Sequence, residues 1–408
     1  MDVIYECCCG LDVHKKTVAA CLIISSQEVE PRKEIHTFGT MTDDLLRLSD
    51  WLLIHGVTHV AMESTGIYWK PVWNLLEGSF QLLLVNAHHV KAVPGRKTDI
   101  KDCDWIADLL RHGLLRGSFV PDRPERELRE LTRYRNSLVR ERSAEVNRLH
   151  KTLEGANIKL ATVASDITGK SGREMLELLV GGATDTAAMA SVARGRMREK
   201  IPELQRALRG SFGDHQCFLV ARQLAHIDFL DEAIAALDAE LNWRLRPFEE
   251  ELQRLDAIPG VGRRTAEVLL AELGMNMERF PSDRHLASWA GMCPGNNESG
   301  GKRRSGKTRK GSPWLRSALI EAAQAASRTR GTYLSARYHR LAARRGKKRA
   351  CVAVGHSILI AAYHLLKHGC TYQDFGALYF DERNRQRVVR RQVHRLEALG
   401  YEVTLQPA

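Results

Sequence analysis

The stretch CCCGLDVHKKTVAACLII, residues 7–24, consists of two apolar runs separated by the charged segment HKK. Apolar runs of this length, bounded by turn-forming residues, predict two strands joined as an antiparallel hairpin. The first run carries an acid, Asp12, close to its end. The stretch therefore predicts the start of a β-sheet with a carboxylate at one edge.

Strand and helix patterns continue to about residue 120. EIHTFGT, THVAMEST and FQLLLVNA predict three more strands. TDDLLRLSDWLLIHG, YWKPVWNLLEG and KTDIKDCDWIADLL have apolar residues at helical spacing. The resulting order is three strands, helix, strand, helix, strand, helix. This order matches the α/β ribonuclease-H-like fold, in which metal ligands sit at strand ends around a central sheet.

Four acids fall where such a fold would place metal ligands. Asp12 and Glu63 lie at the ends of two strands, while Asp99 and Asp102, three residues apart, share a face of the following helix. Single acids at strand ends are more often caps or surface residues. Carboxylates that repel one another are stabilised by a divalent cation, because they are its preferred ligands. The set of four therefore predicts a Mg²⁺ site.

Two further acids of the same helix, Asp104 and Asp108, are predicted to lie outside this set. Asp104 points away from the face that Asp99 and Asp102 share. Asp108 lies nearly two turns beyond Asp102, so it could touch the edge of that face. We expect both to be exposed or structural.

Positive charge is concentrated in one window of the chain. Residues 296–350 contain 16 Lys or Arg but only two acids, although the whole chain has a net charge of +12. A basic block beside a near-neutral body favours a nucleic-acid partner over a solvated basic surface.

The cysteines and the apolar segments indicate a soluble, intracellular protein. The nine cysteines are odd in number and form no CxxC pair, which argues against a disulfide framework and a zinc knuckle. No run of about 18 apolar residues predicts a membrane span, and the N-terminus lacks a signal-peptide layout.

The middle of the chain, residues 121–255, predicts two long amphipathic helices. Residues 121–155 and 217–254 both carry leucines or isoleucines three and four apart. Such helices form an antiparallel hairpin or a dimerising coiled coil. A smaller helical insertion is predicted between them, at about residues 156–216.

The next region, residues 256–375, opens with the segment IPGVG between two helical patterns. This arrangement predicts a helix-hairpin-helix in which the amides of Gly260 and Gly262 face a phosphate. An ordinary turn between two helices fits the pattern equally well. The tail, residues 376–408, predicts another basic helix.

Ser299 lies in the basic segment ESGGKRR, which predicts a mobile loop leading into a helix at Ser312 or Pro313. A serine among phosphate-seeking cations is a candidate nucleophile, although a linker serine has the same composition. No histidine lies nearby in the sequence, so the acid cluster with its metal would have to activate the hydroxyl. Ser305, in the same segment, is the alternative nucleophile.

Five motifs, in order along nearly the whole chain, resemble transposases of the insertion-sequence-110 family. They are GLDVHKK, AMESTG, KTDIKDCDWIA, IPGVG and PGNNESGGKRR…KGSPWLRSALIEAA, and the closing RLEALGYEVTL is also similar. The resemblance implies a RuvC-like domain in residues 1–120, a coiled coil for oligomerisation in 121–255, and a mainly α transposase domain in 256–375.

The resemblance also implies a site and a reaction. Asp12, Glu63, Asp99 and Asp102 would bind Mg²⁺, and Ser299 would attack a DNA phosphate to form a transient phosphoserine link. A bridge RNA would pair with donor and target DNA, so that strand exchange passes through a Holliday-junction-like intermediate. The cations of the Ser299 segment would clamp the nucleic-acid backbone; they are Lys302, Arg303, Arg304, Lys307, Arg309 and Lys310.

The assembly implied by the resemblance is a homo-oligomer, a dimer or a tetramer. Acids of one protomer would combine with the serine of another. The protein would act in the bacterial cytoplasm, associated with the nucleoid during the reaction, and no membrane would be involved.

Three other functions fit parts of the sequence. A metal-dependent nuclease of the Holliday-junction type needs the acids and the basic block but not Ser299. An actin-like ATPase is suggested by GLDVHKKT, which also resembles a phosphate-facing hairpin, but the basic C-terminal half argues against it. A DNA-binding protein without catalysis would use the acids only structurally.

Overall fold

The structure is a computed structural model that describes residues 2–26, 29–64, 66–86, 102–295 and 297–406. For residues 26, 29, 297–299 and 303–305 it describes the backbone alone. The chain divides into two compact units, unit 1 being Met1–Arg123 and unit 2 being Pro124–Ala408. The further division of the second unit stays a prediction.

Unit 1 is built on a six-stranded sheet in the order β3-β2-β1-β4-β5-β6. Its elements are β1 Cys7–Val13, β2 Thr17–Ser26, β3 Val29–Gly39, α1 Thr42–Ile54, β4 His59–Glu63, α2 Trp69–Leu76, β5 Gln81–Val85, α3 Asp102–Arg111 and β6 Gly117–Ser118. Strands β1, β4 and β5 are parallel, whereas β2, β3 and β6 each run antiparallel to a neighbour. The predicted mixed α/β sheet is confirmed, and the two-residue β6 was too short to be predicted.

The sheet is covered on both faces, because successive side chains of a strand point to opposite sides. On one face, Cys9 and Leu11 of β1 belong to the apolar core that contains α1 and α2. On the other face, Cys8 belongs to the core that contains α3. Gly10 is also on this second face, and a Cβ atom there would lie 2.4 Å from the backbone oxygen of Cys103. Only glycine lets α3 approach β1 this closely.

Unit 2 is mostly helical. Its helices are α4 Arg123–Gly155, α5 Leu160–Val163, α6 Lys170–Val180, α7 Thr186–Ser191, α8 Ile201–Ala207, α9 Asp214–Arg244, α10 Glu249–Asp256, α11 Arg263–Leu273, α12 Asp283–Trp289, α13 Pro313–Ala326, α14 Tyr333–Arg345, α15 Lys347–His368, α16 Tyr379–Glu382 and α17 Arg385–Glu397. Strands β7, Asn297–Ser299, and β8, Lys302–Ser305, form a separate antiparallel hairpin.

The two long helices α4 and α9 lie antiparallel within one chain. Ion pairs join them along their length, with Arg244 near Glu127 at one end and Arg142 near Asp231 farther along. The prediction of two long helices in this region is confirmed. The predicted single helix 217–254 was wrong, because the α-helix ends at Arg244 and a 3₁₀ turn containing a proline follows before α10.

Unit 2 contains two apolar cores. One core lies between the far ends of α4 and α9 and the insertion helices α6–α8. The other is formed by α10–α15. Helix α15 is long and apolar enough to cross a membrane by length and composition. It is instead the central helix of this core, where Val354, Ile358 and Leu359 are fully buried.

Candidate functional site

Asp12 and Glu63 lie at the same edge of the sheet. In the parallel pair β1–β4, Leu11 is opposite Met62, so the next residues along the two strands are Asp12 and Glu63. Alternation along each strand places both acids on the face that α3 covers, since Cys8 and Ala61 face that side. Sheet register therefore brings together two carboxylates that are 51 positions apart in the sequence.

Helix α3 adds Asp102 to this edge, because it runs antiparallel to β1. The amide of Ile4, ahead of β1, donates to the carbonyl of Arg111, the last residue of α3, over 2.9 Å. Farther along β1, Gly10 packs against Cys103 near the start of the helix. The first residue of α3, Asp102, is thus directed towards the end of β1 where Asp12 lies. We call Asp12, Glu63 and Asp102 the acid edge.

The acid edge has oxygen donors of the type that Mg²⁺ prefers. Within the described ranges, no three His, Cys, Asp or Glu side chains come close enough together to hold a metal ion. Asp99, the predicted fourth ligand, lies outside the described residues. The donor chemistry therefore fits Mg²⁺, while the assignment of the four ligands stays a prediction.

His14 is a neighbour of the acid edge that the sequence analysis did not select. Its Nε2 lies 3.1 Å from Oδ2 of Asp12, and its side chain is 61% exposed. The sequence signal for this contact was the spacing of two residues between Asp12 and His14, because residues i and i+2 of an extended segment point the same way. An exposed imidazole therefore lies beside one carboxylate of the acid edge.

Asp104 and Asp108 are engaged elsewhere. Lys33 Nζ donates to Asp104 Oδ1 over 2.7 Å, which ties α3 to β3. Burial opposes the charge on Lys33, but this hydrogen bond and the charge of Asp104 raise its pKa above the ordinary value. Asp108 lies 4.0 Å from His112 on the same helix. Both acids therefore have structural partners, as expected.

Ser299 ends strand β7 at the tip of the β7–β8 hairpin. It pairs with Lys302, and the two residues between them, Gly300 and Gly301, have φ angles of 58° and 72°. Two positive φ angles define a type I′ turn, the usual two-residue connection of a hairpin. The prediction of a loop was wrong here, since the two glycines that indicated flexibility instead close a tight turn.

The base of the hairpin is fixed by side chains of the helical core. Arg316 of α13 donates to Oγ1 of Thr308 over 2.7 Å, and Thr308 pairs with Pro294 in a β-bridge. Ser312 caps α13, as predicted, and its hydroxyl donates to Glu272 over 2.9 Å. Glu272 is 1% exposed and also accepts two hydrogen bonds from Arg133. Buried Glu272 therefore holds the start of α13, and Arg316 of the same helix holds Thr308 at the base of the hairpin.

The six cations predicted to clamp the nucleic-acid backbone are exposed wherever the structure describes their side chains. Lys302, Lys307, Arg309 and Lys310 are all exposed, while the side chains of Arg303 and Arg304 lie outside the described part of the structure. No acid occurs in the sequence between Glu298 and Glu321. Lys302 is thus an exposed cation beside the turn, whereas Lys307, Arg309 and Lys310 are exposed cations at the base of the hairpin.

The segment between α10 and α11 forms a turn in which Val261 N donates to Ile258 O. A Cβ atom on Gly260, where φ is 87°, would lie 2.3 Å from the carbonyl oxygen of Ala322 on α13. Gly260 is therefore required for packing between helices. By contrast, Gly262 has open space around it. Of the two glycines predicted to face a phosphate, only Gly262 has room for a ligand beside its Cα.

The charges beside this turn are already paired. Arg263 lies near Glu249 and Glu267, and Arg264 near Glu267 and Asp238. These internal partners compete with phosphate for the two guanidinium groups. We therefore expect the turn to contribute less to nucleic-acid binding than the hairpin.

Comparison with known proteins gives matches to transposases in both units. Residues 9–158 match the model of a family described as a transposase, DEDD_Tnp_IS110, and residues 252–339 match the transposase family IS116/IS110/IS902. Residues 159–251 and 340–408 lie outside both matches.

Individual relatives agree with the family matches. The chain is 29% identical over 301 residues to the transposase for insertion sequence element IS1111A of Coxiella burnetii, which covers 71% of this chain and 72% of the relative. It is 26% identical over 273 residues to a probable family 20 transposase of Pseudomonas aeruginosa, covering 66% and 71% of the two chains. It is also 25% identical over 269 residues to the transposase for IS1328 of Yersinia enterocolitica, covering 65% and 70%.

Proposed function

The chain belongs to the IS110 family of transposases, enzymes that cleave and rejoin DNA, and we propose that its cleavage uses the acid edge of unit 1 and Ser299 of unit 2. The observation that supports this proposal is that sheet register places Asp12 and Glu63 at one edge and on one face of the sheet, while α3 directs Asp102 towards that edge. The exposed basic hairpin supports the assignment of Ser299.

In the proposed reaction, the Oγ of Ser299 attacks the phosphorus of the scissile phosphodiester. The new O–P bond forms as the bond from phosphorus to the leaving ribose oxygen breaks. That oxygen takes up a proton, and the proton lost by the serine hydroxyl passes to solvent or to a nearby base. The reverse attack by a ribose hydroxyl of another strand releases the serine and rejoins the DNA.

The acid edge, together with Asp99, would hold Mg²⁺. When bound there, the ion supplies stabilisation of the negative charge that develops on the entering and leaving oxygens. The lysines and arginines of the hairpin would hold the backbone phosphates on either side of the scissile bond.

We further propose that sequence choice is supplied by an RNA encoded by the element, which pairs with donor and target DNA. The exposed cations of the hairpin support this reading, because contacts to phosphates carry no sequence information themselves. We also propose that the acids of one protomer act with Ser299 of another in a dimer or a tetramer. The experiments below separate these parts.

The covalent step is tested by incubating the purified protein with Mg²⁺, the element's RNA and end-labelled target DNA, followed by a denaturing gel. We expect a slowly migrating, protease-sensitive DNA adduct with wild-type protein and with Ser305→Ala, but not with Ser299→Ala. DNA cleaved without an adduct, at an undiminished rate in Ser299→Ala, would instead identify a metal-dependent nuclease of the Holliday-junction type. A parallel reaction without the RNA tests whether the RNA selects the target site. Cleavage at the same site without the RNA would reject guidance by the RNA.

The composite site is tested by mixing two inactive proteins, Ser299→Ala and Asp102→Asn. Each retains the half of the site that the other lacks. Recovery of adduct formation in the mixture would require acids and serine from different protomers. Inactivity of the mixture, in conditions where wild-type protein is active and the variants still form the same oligomer, would place the whole site within one protomer.

A further inference from the structure

A basic cleft of about 840 Å³ lies between α14 and the C-terminal helix α17. Helix α14 contributes Arg340 and Arg344 to one wall, and α17 contributes Arg387 and Arg391 to the other. The cleft is about 40 residues or more from Ser299 in the sequence, and its lining residues lie outside both family matches. None of these four arginines belongs to the cation set proposed for cleavage.

The charges of this cleft are poorly balanced within the protein. Asp381 is the one acid among its lining residues, and it lies 3.7 Å from Arg340. Among the residues that the structure describes, Arg344, Arg387 and Arg391 have no ion-pair partner. In each helix the two arginines are four residues apart, so they share a face and repel each other. Two such faces turned towards one cleft cost free energy until an anion lies between them.

One wall of the cleft is well supported. The ring of Tyr333, at the start of α14, stacks on Phe380 with 5.0 Å between the ring centroids and meets Tyr379 edge-on at 5.2 Å. The guanidinium of Arg340 lies over the ring of Phe380 at 5.4 Å. This aromatic cluster attaches α16 to α14 and so sets the position from which α17 begins.

The other wall has little internal support. Helix α17 has 13 residues, five of which are arginines, and none of the 13 is buried. A helix of this length is only marginally stable in water without an apolar face packed against a core. Its stability as a wall of the cleft therefore depends on what fills the cleft.

We infer that this cleft binds the phosphate backbone of a nucleic-acid strand, DNA or RNA, and that the bound strand stabilises α17. Arginine forms paired, charge-assisted hydrogen bonds with phosphate oxygens. Residues four apart on a helix are separated by about 6 Å along its axis, which allows one helix to reach successive phosphates. The amides of Asn384 and Gln392, which also line the cleft, can bind the sugar or base of the same strand. This contact goes beyond the proposed cleavage site and does not depend on serine chemistry.

The test is the affinity of the full-length protein for fluorescent single-stranded DNA and RNA of one sequence, measured by anisotropy across a range of salt. The cleft variant is Arg387→Gln with Arg391→Gln. The control is Arg385→Gln with Arg390→Gln, which removes the same charge from the same helix at residues that do not line the cleft. We expect the cleft variant to bind at least about 10-fold more weakly and its salt slope to fall by about 1.4, because each single-strand phosphate contact contributes about 0.7.

The control should retain most of the affinity and the slope. Selective loss with DNA or with RNA identifies the strand. Equal losses of affinity in the two variants would show that the effect comes from net charge alone, which would overturn the inference. No loss of affinity in either variant would also overturn it. Displacement of the oligonucleotide by polyglutamate at equal charge concentration would overturn it in favour of an acidic protein partner.

Hydrogen exchange provides the second measurement. The amides of α17 should become protected when oligonucleotide is added to wild-type protein but not to the cleft variant. Full protection of α17 before any nucleic acid is added would reject the coupled stabilisation. Neither measurement depends on DNA cleavage, so failure of the serine mechanism and failure of this inference remain distinguishable.

Discussion

The acid edge and the β7–β8 hairpin hold their chemical groups in opposite ways. The acids of unit 1 lie on strands and on a helix of a six-stranded sheet that is covered by apolar cores on both faces. Ser299 lies at the tip of a two-stranded hairpin, for which the described residues provide no further strand partner. A two-stranded hairpin is only marginally stable by itself. Its order therefore depends on its base, where Arg316 of α13 donates to Thr308.

The difference follows from the task proposed for each part. Metal ligands must keep their relative positions to within a fraction of an ångström, which regular elements of a packed sheet provide. A nucleophile that must reach a phosphate, and later release it, can lie on a segment that moves as a unit. The four predictions that follow test this contrast, in order of decreasing effect.

The largest effect is expected at the acid edge. Asp102→Asn should lower the rate of DNA cleavage by about 10³-fold, since loss of a metal ligand removes several kcal/mol of transition-state stabilisation. Asp104→Asn, two residues away, is the matched control, because that carboxylate binds Lys33 instead. Cleavage rates at saturating Mg²⁺ decide the result. Equal loss in both variants would mean that α3 needs its acids for folding and not for catalysis.

The next effect concerns the start of α13, the helix that holds the base of the hairpin through Arg316. Glu272→Gln should lower the free energy of unfolding of unit 2 by about 3 kcal/mol, because Arg133 and Ser312 lose a buried charged partner. Glu250→Gln is the control, since the side chain of Glu250 is 81% exposed and its pair with Arg254 contributes at most about 0.5 kcal/mol. Urea unfolding measures both. Similar small changes in the two variants would show that the stability of unit 2 does not depend on this buried charge.

The close approach of α3 to β1 gives the third prediction. Gly10→Ala should destabilise unit 1 by about 2 kcal/mol, because its Cβ atom would meet backbone atoms of Cys103 and Ala107 at 2.4 Å. Gly78→Ala is the control, since nothing lies within 4 Å of a Cβ atom there. Thermal unfolding should show a lower midpoint for Gly10→Ala alone. An unchanged midpoint would mean that α3 can move away from the sheet without cost.

The smallest effect is expected at the hairpin tip. Gly300→Val should disfavour the turn by about 1 to 2 kcal/mol, because a β-branched residue rarely adopts positive φ. Gly300→Asn should be tolerated, since Asn-Gly suits a type I′ turn. We expect adduct formation to fall about 10-fold in the valine variant, with little change in the unfolding of the protein. Equal activity in both variants would show that the turn geometry does not position Ser299.

Much of unit 1 could be predicted from the sequence. Its strands and helices have clear apolar periods, and their order was sufficient for the fold class. Two features were not predictable in this way. Strand β6 is two residues long, too short to have a period, and the partner of Asp104 on β3 lies 71 positions away. Contacts over such distances depend on how elements pack, which local patterns do not encode.

The hairpin was harder to predict for a different reason. Gly-Gly beside charged residues is typical both of flexible segments and of type I′ turns. The composition of the Ser299 segment favoured the first, whereas its backbone adopts the second. Similarly, the glycines of IPGVG suggested two phosphate contacts. Only the packing of α13 shows that the carbonyl group of Ala322 fills the space beside the Cα atom of Gly260.

By itself, the sequence selected the candidates for the chemistry: the acids Asp12, Glu63, Asp99 and Asp102 as predicted ligands, Ser299 as the predicted nucleophile, and the basic block around it. These are properties of residue type and local order. Only the tertiary structure decided that Asp12 and Glu63 share one edge and one face of the sheet and that α3 directs Asp102 towards that edge, because this depends on parallel register and on the approach of α3 to Gly10. It also decided that Ser299 lies at a hairpin tip, because backbone dihedral angles and strand pairing are set by the whole fold and not by composition.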